Sequence, residues 1–262
     1  MYTVFQQEVA LRLGIEPQNV RVEMGDTRLP SGPLAGGSTG SASGCCAIML
    51  ACEKLLAQLH ISIAADKFTR QAAFEKLKVG SVEALGDYAP PGSKTGSTAG
   101  AYQGKPEISG GVHGPKTMFA FGAEFVEVRI NLRTREIRCP RIVGAFAAGR
   151  ILNPRLAHSQ LMGGMIWGIS SALHEATEID QREARYVNDN LAEYLIPVNA
   201  DIGEVTVIMV PEIDTEVNAA GVKGVGELGN VGTAAAIANA VYHATGKRFR
   251  KLPIRIEDLI GT

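Results

Sequence analysis

The sequence lacks any pair of cysteines in Cys-x-x-Cys spacing. Its four cysteines, Cys45, Cys46, Cys52 and Cys139, are too few and too unevenly placed for a disulfide scaffold. A zinc or iron–sulfur site made by this chain is disfavoured on the same count, and small buried thiols in a reducing compartment are expected. An excess of one charge is also missing: 26 basic residues stand against 27 acidic ones, so no electrostatic footprint for nucleic acid is present. No apolar run stands out as long enough to span a bilayer. Met1–Glu8 has neither the basic start nor the apolar core of a signal peptide. The five histidines are scattered, and His174-Glu175 only begins like a zinc-protease motif, because Glu178 stands where the second histidine would be required.

What is present fits an ordinary globular chain of 262 residues, 45% hydrophobic and 20% charged. It opens inside a helical pattern (Val4, Val9, Leu11, Leu13) that Gly14 is placed to stop. Val20–Met24 alternates as a short strand. Residues 25–44 are rich in Gly, Ser and Pro and run into an apolar helix from about Cys45 to His60. Two readings of this stretch stay open: a flexible linker, or a phosphate cradle in which the hydroxyls of Ser38, Thr39, Ser41 and Ser43 stand at a helix start. A second short helix is expected over 66–78 and a long loop from about 90 to 116. Phe119–Leu132 and Ile137–Phe146 read as a β-hairpin. A long helix from Pro154 to about Ala176 carries Gly163, Gly164 and Gly168, which points to very close packing against another helix or a ligand. Short strands around Arg185–Val187 and Val205–Val210, a helix over Val231–Thr245 stopped by Gly246, and an edge segment Leu252–Ile256 complete the chain. Without a βαβ repeat the class is α+β, read as one domain over 1–262.

The stretch with most chemical content is Gly221-Val222-Lys223-Gly224-Val225-Gly226-Glu227-Leu228-Gly229. Its glycines allow backbone to approach a ligand closely, and Glu227 is placed to act either as a general base or as a capping carboxylate. Gly224 to Gly229 formally matches a dinucleotide fingerprint. The nearest strand ends before Pro211, however, and only 33 residues follow Gly229, too few for a doubly wound sheet.

Four blocks together resemble the C-terminal portion of the molybdenum-binding subunit of the xanthine dehydrogenase/aldehyde oxidase family. They are Gly25–Pro30 with the Gly36-Gly37-Ser38 loop, Gly149–Pro154 with Gln160 and Gly163-Gly164, Asn188–Pro197, and Lys223–Glu227 with the Ala-rich segment behind it. The resemblance implies a molybdenum–molybdopterin cofactor, with the cytosine dinucleotide form favoured by a bacterial-type layout and the plain pterin form left open. It implies base-assisted hydroxylation of an aldehyde or N-heteroaromatic substrate, with water as oxygen source and Glu227 as the base. Gly36, Gly37, Ser38, Thr39, Gly40, Ser41, Gln160, Lys223, Gly224, Val225 and Gly226 would hold the cofactor, and no protein ligand to the metal is implied. An iron–sulfur [2Fe-2S] subunit and an FAD subunit would take the electrons. The family subunit is much longer, so its N-terminal part is expected from a second polypeptide, or the chain is a truncated frame. Nucleic acid and membrane are not expected partners, and a cytoplasmic site is expected, or a periplasmic one if a partner carries the export signal. The alternative is a non-catalytic structural or assembly fragment of such a complex.

Overall fold

The structure is a computed structural model that describes residues 1–32, 36–89, 112–113 and 116–261. Most of the loop expected over 90–116 lies outside the described residues. At its end β1 (Val112–His113) and β2 (Lys116–Thr117) pair antiparallel. The chain forms two compact units, Met1–Phe119 with Gly149–Asn153 and Glu212–Gly224, and Ala120–Ala148 with Pro154–Pro211 and Val225–Thr262.

In the first unit α1 (Tyr2–Leu13) ends, as its pattern implies, at a left-handed Gly14. The next helix, α2 (Gly40–Gln58), starts five residues before the expected Cys45. Gly40 and Gly44 explain the close fit of the two helices. A Cβ at Gly40 would lie 2.6 Å from the Met1 sulfur, and one at Gly44 2.3 Å from the Phe5 ring. By length and composition α2 is apolar enough to cross a membrane, which corrects the sequence expectation. In this fold it buries Cys45, Cys46, Met49 and Cys52 inside the unit. Burial pushes the Cys45 thiol up to about 12, which keeps it protonated. No strand forms over 20–24. A 3₁₀ turn at Pro17–Asn19 leads into this stretch, and Gln6 Nε2 donates to Pro17 O and Val20 O. The third helix, α3 (Lys67–Leu77), is capped by Asp66, which accepts from Thr69 N at 2.7 Å.

The apolar centre of this unit consists mainly of small residues, Cys45, Cys46, Ala220 and Val222, with Met49 the one long side chain among them. Small side chains bury little apolar area, and ionic ties supplement them. Glu8, only 2% exposed, accepts from Arg12 Nε and Arg150 Nη2, each at 2.9 Å. Burial opposes its charge, but the two guanidinium groups outweigh burial and hold the carboxyl below its ordinary range. The 149–153 segment is stitched to the glycine-rich loop by a Gly149–Val222 bridge and by Arg150 N donating to Gly221 O at 2.7 Å. Lys223 Nζ lies 2.6 Å from Glu212 Oε1 and 2.9 Å from Asp214 Oδ2, while Gly149 N donates to Glu212 Oε2 at 2.6 Å. Burial disfavours the ammonium, yet the two carboxylates raise the Lys223 pKa above its usual value. The bond from Lys223 in turn lowers the pKa of both acids.

In the second unit the expected hairpin forms as β3 (Phe121–Ile130) and β4 (Ile137–Ala147). Asn131 holds its turn by accepting from Arg133 N and Thr134 N. After α4 (Pro154–Leu173) and a small hairpin of β5 (Ile179–Asp180) and β6 (Arg185–Tyr186), β7 (Glu204–Met209) pairs parallel to β4. The sheet order is β3-β4-β7. One parallel crossover is therefore present where the sequence suggested none. The hairpin between α4 and β7 masks it. The class remains α+β. A one-turn helix α5 (Leu228–Val231) and α6 (Thr233–Thr245) follow, the latter stopped by a left-handed Gly246. Leu252–Ile256 is not an edge strand: Ile254 is buried, and its N–H donates to Ala172 O at 2.8 Å.

The core of this unit joins Ile142 and Phe146 of β4, Leu161, Met165 and Ile169 of α4, and Ile237 and Val241 of α6. Each buried side chain contributes about 1.5–3 kcal/mol. Two of the three α4 glycines mark close packing. A Cβ at Gly164 would lie 2.9 Å from Gly229 C, and one at Gly168 would lie 2.3 Å from Thr233 Cβ, but Gly163 meets nothing within 4 Å.

This packing gives two of the glycines opposite expectations. Gly168→Ala overpacks against Thr233 and lowers the unfolding free energy by about 1–3 kcal/mol. Gly163→Ala gains up to about 1 kcal/mol from helix propensity. Denaturant midpoints of the two variants should move in opposite directions. In the first unit, Lys223→Met leaves Glu212 and Asp214 unpaired and costs about 1–3 kcal/mol at neutral pH. Because both acids are depressed in the folded chain, their contribution is present above the ordinary carboxylate range and is lost as pH falls through their folded values. Stability measured against pH should thus fall less steeply below about pH 4 in the variant than in the parent.

Candidate functional site

The residues singled out in the sequence fall into two groups, one in each unit. In the first unit, Gly36–Thr39 forms a tight turn. Thr39 N donates to Gly36 O at 3.3 Å, and the central residues Gly37 and Ser38 have φ of 59° and 58°. Two successive positive φ angles define a primed turn. Glycine meets this requirement at no cost, whereas Ser38 adopts it as a non-glycine residue. The turn delivers the chain to the start of α2, where Gly40 and Ser41 are the first helical residues. Thr39 occupies the capping position without capping the helix, because its hydroxyl donates back to Gly36 O at 2.9 Å. The first-turn amides of α2 therefore face outward from a helix end that carries partial positive charge and lacks a side-chain cap.

The second glycine-rich stretch meets this turn. A Cβ on Gly224 would lie 2.8 Å from Ser38 Cβ and 3.0 Å from Ser38 O, so only glycine permits the two loops to touch. Two segments nearly two hundred residues apart thus become one surface of amides and hydroxyls. Lys223 contributes no free cation to it, since its ammonium is held by Glu212 and Asp214.

The second unit holds Gln160, Val225, Gly226 and Glu227. Gln160, in the second turn of α4, donates from Nε2 to Gly226 O at 2.7 Å. The side chain of Val225 packs against the core of the unit rather than outward. Glu227 is exposed at the capping position of α5, and its carbonyl accepts from Asn230 N at 3.0 Å. The Ala-rich helix expected directly behind this loop is broken at Gly232, so Glu227 sits on a separate single turn.

Sequence reasoning missed the groups that hold these loops. Glu212 and Asp214 were part of a connecting stretch, although two acids close to a lysine in one loop signal an ion pair. Thr233, inside the helix expected over Val231–Thr245, and Glu124, inside the first strand of the expected hairpin, carry no local signal. The Asn188–Pro197 block proves to be a stapled turn: Asn188 donates to Ala176 O, and Tyr194 donates to Glu175. The second unit also has a cleft of about 450 Å³ lined by Arg138, Leu173, His174, Glu178, Ile254 and Arg255 among others. No residue of either candidate group lines it.

Comparison with known proteins bears on this arrangement. Residues 1–203 match the family described as a molybdopterin cofactor-binding domain. The chain is 36% identical over 267 aligned residues to the aldehyde oxidoreductase molybdenum-binding subunit PaoC of Escherichia coli K12, covering 99% of this chain and 35% of that protein. It is 29% identical to a probable xanthine dehydrogenase subunit of Bacillus subtilis, covering 97% of this chain and 35% of that protein. The chain therefore spans about a third of the length of these relatives. Among solved structures, the aldehyde oxidoreductase of Desulfovibrio desulfuricans superposes with a TM-score of 0.75 at 25% identity, over 98% of this chain and 26% of that one. Quinoline 2-oxidoreductase from Pseudomonas putida shares the fold, with a TM-score of 0.72 at 22% identity, over 98% of this chain and 34% of that one. The chain belongs to the molybdopterin cofactor-binding domain family, as a portion of a molybdenum-binding subunit of the xanthine dehydrogenase/aldehyde oxidase type.

Proposed function

We propose that the chain, acting as one C-terminal cofactor-binding domain over 1–262, supplies part of the catalytic site of a molybdenum hydroxylase that works in a complex. The observation that carries this reading is the seating of Glu227, an exposed carboxylate on a single helical turn whose entry is fixed by the bond from Gln160 to Gly226.

The residues present fit an anionic pterin dinucleotide. Phosphate oxygens are acceptors and need donors, and the Gly36–Ser41 turn with Gly224 against it offers backbone amides and hydroxyls in a glycine-lined cradle. In our reading Gly36, Gly37, Ser38, Thr39, Gly40 and Ser41 form the seat of the phosphate portion, Thr39 by shaping the turn, since its amide and hydroxyl both donate to Gly36 O, with Lys223 and Gly224 contributing backbone only. Gln160, Val225 and Gly226 border the pterin, with Gln160 Oε1 as the acceptor for a pterin N–H. When bound, the molybdenum group supplies the two-electron redox chemistry by which a water-derived oxygen enters the substrate.

Glu227 acts as general base at a carboxylate oxygen, taking up the proton that the attacking oxygen loses. Gln160 keeps the loop in register for this transfer through its bond to Gly226 O. The substrate is an aldehyde or an N-heteroaromatic compound. Electrons leave through iron–sulfur and flavin subunits, and the rest of the molybdenum subunit completes the pocket.

The test is purification of the chain with its neighbouring subunits, followed by assay of molybdenum, released nucleotide and turnover. Near-stoichiometric molybdenum with cytosine nucleotide is expected. Glu227→Gln should retain both and lose roughly 10²–10⁴ in kcat. A Gln variant with near-normal kcat overturns the role of Glu227. A folded complex without molybdenum overturns the catalytic reading in favour of a structural or assembly part.

A further inference from the structure

The turn that carries Glu227 is tied down by a side chain that none of the candidate residues includes. Glu124, on β3, reaches the α5–α6 junction from the sheet side, where its carboxyl bonds to Thr233 Oγ1 and to Gly232 N–H. The same Thr233 oxygen lies 3.0 Å from Gly229 O, and Thr233 is fully buried. Gly229 is two residues beyond Glu227 and lies against α4, where a Cβ on it would stand 2.3 Å from Leu161 O.

A proton count then constrains the junction. A threonine hydroxyl donates once, yet two acceptors, the Glu124 carboxyl and Gly229 O, lie within its reach. With Glu124 ionised, one of them goes without. With Glu124 as the neutral acid, Glu124 donates to Thr233 Oγ1, Thr233 donates to Gly229 O, and the second carboxyl oxygen still accepts from Gly232 N–H. Every group is then satisfied, as buried polar groups require. Burial of Glu124 favours the same neutral form, against the bonds from Thr233 and Gly232. The groove beside it is lined by two other titratable groups, Glu127 of β3 and His243 of α6.

We propose that Glu124 is a positioning residue that holds the Glu227-bearing turn in place, through a hydrogen-bond relay from its carboxyl to Thr233 and on to Gly229 O. The inference deepens the reading of Glu227 as general base and rests on it for its catalytic consequence. The relay itself does not depend on that reading.

Hydrogen exchange and kinetics on the purified complex separate the two. Glu124→Met keeps the length of the side chain and removes the relay. It should speed exchange of the amides in 228–233 at least tenfold, and lower kcat roughly tenfold to a hundredfold at unchanged KM and molybdenum content. Thr233→Val should do the same. Glu124→Gln, whose amide donates to Thr233 and whose carbonyl accepts from Gly232, should restore slow exchange and most of the kcat lost in Glu124→Met. If exchange in 228–233 is unaffected by Glu124→Met, or if Gln behaves as Met does, the relay is wrong. If exchange responds as expected while Glu227→Gln turns over normally, the relay stands and the assignment of the base fails.

Discussion

The second unit depends on how closely α4 approaches the α5–α6 junction. At Gly164 and Gly168 the helix surface has no side chain, and the backbone at Gly229 and the Thr233 side chain occupy the space that a Cβ would fill. Glycine inside a helix costs about 1 kcal/mol each. That cost is offset because the contact lets Leu161, Met165 and Ile169 reach the sheet core while α5 lies directly on the helix. The candidate base is therefore mounted on a backbone-to-backbone contact, which has fewer rotatable bonds than any seat made of side chains.

The first unit solves the same problem by different means. Its apolar centre is made, apart from Met49, of thiols and small aliphatics, and its loops are held by charge instead: Glu8 between two arginines, and Lys223 between two acids. Partly buried pairs of this kind fix geometry more than they add net stability. Fixed geometry is what a loop of amides and hydroxyls needs if it is to present donors at set positions.

Much of this was legible in the sequence, for identifiable reasons. Helix ends at Gly14 and Gly246, the hairpin, and the significance of Gly164 and Gly168 follow from local rules of capping, alternation and helix propensity. The glycine-rich loops could be located as chemically interesting, but the contact between Ser38 and Gly224 is a long-range event that no local pattern encodes. The parallel pairing of β4 with β7 was hidden because a second hairpin intervenes. Leu252–Ile256 was misread because an apolar alternation around Ile254 serves a buried loop as well as a strand. Thr233 and Glu124 escaped notice because each is ordinary in its own element and acquires meaning only across the junction.

The commitment of Lys223 has a consequence for how ligands are discriminated. A loop that meets an anion with a free ammonium attracts any polyanion, and its affinity falls steeply as ionic strength rises. Here the ammonium is held within its own unit by Glu212 and Asp214, one cation between two acids, so the cluster offers no positive charge and the donors left for an anion would be backbone dipoles. Recognition by such a surface is governed by shape. A ligand held there would be selected by the directions of those dipoles and not by its total charge.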